Sequence, residues 1–85
     1  MPAVKKGKGL MSNMTADEYN EQIIANAVYY GVSIFLGGGK HDAHTCRTLQ
    51  EARQTAAAMA AYYNNGRKPL IYAFDKMNRH ALVTD

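Results

Sequence analysis

Gly31-Val32-Ser33-Ile34-Phe35-Leu36-Gly37-Gly38-Gly39, residues 31–39, is the stretch on which the reading of the fold turns. Residues 32–36 are mostly β-branched or large and apolar, and glycine bounds them on both sides, so they read as a strand. Three successive glycines then force a loop, which Lys40 to Arg47 continue with polar side chains. On the upstream side, Gly31 reads as a helix stop, because glycine enters the left-handed conformation at little cost.

The helix that Gly31 would end begins at a capping box, Thr15-Ala16-Asp17-Glu18. Met14 before the cap and Tyr19 after it can form a hydrophobic staple, and acids in the first turn suit the helix dipole. Tyr19, Ile23, Ala27 and Tyr30 recur at helical spacing, with Ile24 and Val28 widening the stripe, which predicts a helix over residues 16–30. Downstream, Thr48-Leu49-Gln50-Glu51 is a second capping box. Leu49, Ala52, Ala56, Met59 and Tyr63 follow at spacings of three and four, and Asn64-Asn65-Gly66 is a stop, so a second helix is expected over 49–64. Leu70, Tyr72 and Phe74 then alternate with Ile71 and Ala73 in a strand opened by Pro69. Asp75 to Asn78 is turn-like, and His80 to Thr84 reads as a last strand closing a hairpin.

The predicted order is helix, strand, helix, strand, strand. A right-handed crossover would make the first two strands parallel, and the hairpin would add an antiparallel third. The fold class is therefore α+β: a small three-stranded mixed sheet packed with two helices. Residues 14–85 form the single domain, and residues 1–13 read as a disordered basic arm carrying Lys5, Lys6 and Lys8. No internal repeat of useful length is visible. Both faces of this sheet are apolar. Either the helices cover opposite faces, or both cover one and leave a patch that includes Phe35, Ile71, Ala73 and Val83. On so small a protein an open apolar face marks an interface.

Eighty-five residues make one domain with one core. Much of the apolar content is alanine, dense between Ala56 and Ala61, so that core is thin and association would help it. The one cysteine, Cys46, permits no intrachain disulfide. No apolar run reaches the roughly 18 residues of a membrane span, and the lysines of the arm lead into no secretory core. The expected compartment is the cytoplasm; an organellar address is disfavoured by the absence of arginine from the first sixteen residues. The formal charge of +3 permits contact with nucleic acid without requiring it.

Three patterns hint at chemistry. His41-Asp42-Ala43-His44-Thr45-Cys46 contains zinc-ligand types, making His41, His44 and Cys46 a candidate metal or thiol site, but the spacing matches no closed zinc pattern. The same Cys46 precedes a helix, where its thiol could serve as a nucleophile beside a histidine, yet no oxyanion site accompanies it. Gly37-Gly38-Gly39-Lys40 follows a strand as phosphate loops do, but lacks their spacing and does not open into a helix. No cofactor is expected, and the chain reads as a non-enzyme.

The stretch from Arg47 to Phe74 resembles segments of short bacterial or phage proteins, and that resemblance brings no function with it. The residues favour a small interaction module, a subunit, regulator or inhibitor docking a protein partner or a second copy of itself through an apolar sheet face or an edge strand. The alternative is a nucleic-acid-binding accessory protein using Lys5, Lys6, Lys8, Lys40, Arg47, Arg53, Arg67 and Lys68, with tyrosines such as Tyr29, Tyr30, Tyr62 and Tyr63 to stack bases.

Overall fold

The computed structural model describes residues 15–84. The arm expected over residues 1–13, with Lys5, Lys6 and Lys8, lies outside them, as do Met14 and Asp85.

The first capping box forms as its residues require. The Glu18 amide donates to the Thr15 hydroxyl at 3.1 Å, and the Thr15 amide donates to the Glu18 carboxylate at 2.9 Å. Helix α1 runs Ala16–Ala25 and no further. Asn26 ends it, donating both its backbone amide and its side-chain amide to the Gln22 carbonyl. The expected helix over 16–30 is thus cut short, and Gly31 is not its stop. Val28, Tyr29 and Tyr30 are strand formers, and they enter strand β1, Ala27–Gly37. Gly31 sits inside that strand, where a Cβ would meet the Phe74 ring at 3.1 Å.

The glycine run makes a hairpin rather than an open loop. Gly38 and Gly39 occupy the two turn positions with φ of 61° and 78°, as the tightest hairpin turn demands. Strand β2, Lys40–Cys46, returns against β1 with Tyr30 opposite Cys46 and Phe35 opposite His41. The polar residues expected as a loop thus form a fourth strand; the backbone ladder with β1, rather than any β-propensity of their own, holds them in place.

Helix α2, Leu49–Tyr63, starts at Thr48, whose hydroxyl accepts the Glu51 amide at 3.0 Å. The Glu51 carboxylate reaches the Arg47 amide, at 2.8 Å, instead of closing the box on Thr48. Asn64, left-handed at φ 44°, ends the helix. Strands β3, Leu70–Asp75, and β4, His80–Leu82, are the remaining elements among the described residues.

Among the described residues the sheet has four strands in the order β2-β1-β3-β4, all antiparallel to their neighbours. The expected mixed, three-stranded sheet is corrected on both counts, and the cause is the hairpin. By reversing the chain before α2, it leaves β3 antiparallel to β1 and parallel to β2, which is not its neighbour. The element order reads αββ twice, although the sequence shows no repeat. Each helix covers the hairpin of the other half: α1 packs on β3 and β4, and α2 packs chiefly on β1 and β2.

Both helices lie on the same face. Val32, Ile34, Cys46, Ala52 and Met59 form the buried cluster under α2, flanked by Tyr30, Ala56, Tyr63 and Ile71. Beneath α1, Ala73 and Ala81 lie opposite each other with 0% and 3% exposure, and Ile23 of the helix is buried against this side. Small residues here let the helix approach the sheet closely, which is why alanine suffices to build a core.

Candidate functional site: the uncovered sheet face

Side chains alternate across a strand, so the residues between those core positions point the other way. On β1 they are Tyr29, Gly31, Ser33 and Phe35; on β3 they are Leu70, Tyr72 and Phe74; on β4 they are His80 and Leu82. No helix among the described residues covers them. Phe35, Leu70 and Leu82 are 44%, 44% and 40% exposed, and Tyr29, Tyr72 and Phe74 are half-buried, Tyr29 against Phe74 and Tyr72 against His80.

The aromatic rings form a row across the strands. Tyr29 and Phe74 stack with centroids 4.8 Å apart and planes 3° from parallel, and His80 lies 5.7 Å beyond Phe74. A separation this close to the inter-strand spacing means the rings lean on each other across neighbouring strands, and the Phe74 ring also reaches over Gly31. Tyr29 is fixed further by donating its hydroxyl proton to the Asn78 side chain at 2.7 Å. At the opposite end of β1 the Arg67 guanidinium lies 4.6 Å from the centroid of the Phe35 ring. The Asn65 side-chain amide donates to the Phe35 carbonyl at 3.1 Å, tying the end of α2 to that corner.

The turn between β3 and β4 is held by a buried carboxylate. Asp75, 3% exposed, accepts the Met77 and Arg79 amides at 2.9 Å each on one oxygen, and the Arg79 Nε at 2.8 Å on the other. Burial pushes its pKa up, but the three donors outweigh burial and hold it below the ordinary aspartate value. Arg79 also lies over the Tyr19 ring, at 5.7 Å, so the turn is fastened to α1.

Of the four residues expected at a partner interface, Phe35 lies on the uncovered face. Ile71 sits opposite Val32 and so points to the helices; Ala73 is fully buried beneath α1. Val83 donates its amide to the Ile71 carbonyl at 2.8 Å and lines, with Ile71, a groove against α2 whose rim also includes Leu70 and Leu82. The residues that lie beside Phe35 on this face are Tyr29, Leu70, Tyr72, Phe74, His80 and Leu82, because the bulkier half of β3 faces away from the helices. The small size of Ala73 and Ala81 was the available signal for where a helix presses.

Strand alternation also separates the candidate metal ligands. His41 points to the uncovered face, opposite Phe35, whereas His44 and Cys46 point to the helix side, opposite Val32 and Tyr30. Among the described residues no three of His, Cys, Asp and Glu come together as a metal-binding group. His44 Nε2 lies 3.3 Å from the Asp42 carboxylate, which also accepts the Tyr63 hydroxyl proton at 2.6 Å. The bond from Tyr63 lowers the Asp42 pKa, with His44 adding to the effect, and it raises that of Tyr63. This arrangement latches the end of α2 to the sheet edge. Cys46 is buried, with its thiol donating to the Thr55 hydroxyl at 3.4 Å.

The basic residues divide between the two ends of the sheet. Strand directions bring Lys40, Arg67 and Lys68 to the end near Phe35, and Arg47, Lys76 and Arg79 to the other. Arg53 lies on α2, on the helix side. Tyr30 and Tyr63 pack against the core, and the Tyr62 ring meets Tyr63 edge-on at 4.9 Å. No helix among the described residues is long and apolar enough to cross a membrane. No protein-family model matches the chain, nor does any curated protein or solved structure.

Proposed function

We propose that this protein is a non-enzymatic interaction module that docks a partner protein on the uncovered face of its sheet. The observation that supports the reading is the placing of both helices on one side, which leaves Tyr29, Phe35, Leu70, Tyr72, Phe74 and Leu82 outward on the other. A sheet face this apolar normally packs against another layer. The buried thiol of Cys46 suits a reducing compartment such as the cytoplasm.

The arrangement of the rings favours protein over nucleic acid. Bases stack on open ring faces. Here Tyr29, Phe74 and His80 turn their faces to one another, and Arg67 covers Phe35. Such rings and the leucine side chains suit packing against other side chains.

The test is retention of partners from the source cells on immobilised protein, comparing the native chain with Leu82→Asp and Phe35→Asp. Both variants are expected to stay folded and to retain about tenfold less of a partner held by the native chain. Equal retention by folded variants would overturn the reading.

A further inference from the structure

Resting on that docking reading, we propose that the occupant is an amphipathic helix of a partner protein whose apolar stripe is flanked by carboxylates. Shape supplies the first argument. The β3 and β4 side of the face is raised by Leu70, Tyr72, Phe74 and Leu82, with the Phe74 ring reaching over Gly31, whereas the rest of β1 and β2 up to Phe35 carries the small residues Ser33, Ala43 and Thr45. The result is a shallow trough beside an apolar ridge. Two strands and the ridge span roughly 10–15 Å, the width a helix with its side chains fills. The trough is about two helical turns long, which calls for apolar anchors at i, i+3 or i+4, and i+7.

Charge supplies the second. The described acids are Asp17, Glu18, Glu21, Asp42, Glu51 and Asp75, and every one belongs to a helix or to a strand position facing the helices. Among the described residues the uncovered face has none. Arg67 lies on it, and His41 and His80 point from it. A partner with carboxylates beside its apolar stripe meets these groups, and one with lysines is repelled. A second copy does not fit this description. Its own face repeats the same cations, and its acid-bearing helix, α1, commits Ile23 to its own core.

Selection of helical peptides from a random displayed library against the intact protein tests this. The expected winners pair large apolar residues at helical spacing with flanking Asp or Glu, and bind Leu82→Asp and Phe35→Asp about tenfold more weakly or worse. Winners that depend on Leu82 and Phe35 but carry no excess of acids overturn the proposed partner and leave the docking reading standing. Winners indifferent to both substitutions, or no winners, overturn both. So does preferential binding to phosphatidylglycerol vesicles or to oligothymidylate through these same residues, which would reassign the face to a lipid surface or to nucleic acid.

Discussion

Val32→Asp is expected to abolish folding, whereas Leu82→Asp, two strands away on the other face, leaves thermal stability nearly unchanged. Val32 is 0% exposed on a central strand, within the cluster under α2, and no described cation stands in that cluster to pair with a new carboxylate. Burying an uncompensated charge costs several kcal/mol, against a total stability of about 5–15 kcal/mol for a domain. Leu82 is 40% exposed on the uncovered face, where an ionised side chain stays hydrated. Substitutions at such positions change stability by about 0.5 kcal/mol. Circular dichroism and melting of the two variants decide between them. A Leu82→Asp chain that fails to fold would mean that something in the molecule covers that face.

The second large effect is expected at Asp75. Asp75→Ala leaves two backbone amides and the Arg79 Nε without their acceptor at a nearly dry position, and it releases the contact of Arg79 with Tyr19. The β3–β4 hairpin should open. Amide exchange should speed up across residues 70–82, and the melting temperature should fall more than for Asp75→Asn, which keeps one oxygen acceptor. The pH dependence has a definite sign. The folded-state pKa of Asp75 lies below the ordinary 3.8, so the unfolded chain binds its proton first as pH falls. Its contribution is therefore full above the ordinary value and is lost as pH drops through the folded one. Asp42, lowered chiefly by the Tyr63 hydroxyl, acts in the same direction. Tyr63 is raised above its ordinary 10.0, so its contribution is full below that value and lost as pH rises through the folded one. Asp75→Asn should flatten the acid limb of the stability profile and leave the alkaline limb in place.

Much of the fold is legible in the residues because local chemistry dictates it. Both N-caps, the core stripe of α2 through Ala52 and Met59, and the β3–β4 hairpin follow from spacing and capping alone. The end of α1 was not legible in the same way. Ala27, Val28 and Tyr30 satisfy a helical stripe, and only pairing with β3, from Ala27 opposite Asp75 onward, turns them into strand. Strand β2 was obscured by its polarity. Lys40 to Cys46 has little β-propensity, and its stability comes from the ladder to β1. That omission carried through to the site. Without the hairpin, the pairing of Val32 with Ile71 could not be foreseen, and a register change of one residue exchanges the two faces of a strand. Phe35 keeps the expected face, while Ile71 and Ala73 face the helices and Tyr72 and Phe74 face away from them.

Thiol labelling of single cysteine substitutions tests the uncovered face most directly, with buried Cys46 as the built-in slow reference. At low protein concentration, Leu70→Cys and Leu82→Cys should react at nearly the rate of the unfolded chain, and Ala73→Cys and Ala81→Cys should be as protected as Cys46. Protection at positions 70 and 82, with rapid reaction at 73 and 81, would place the helices on the other side and contradict the account.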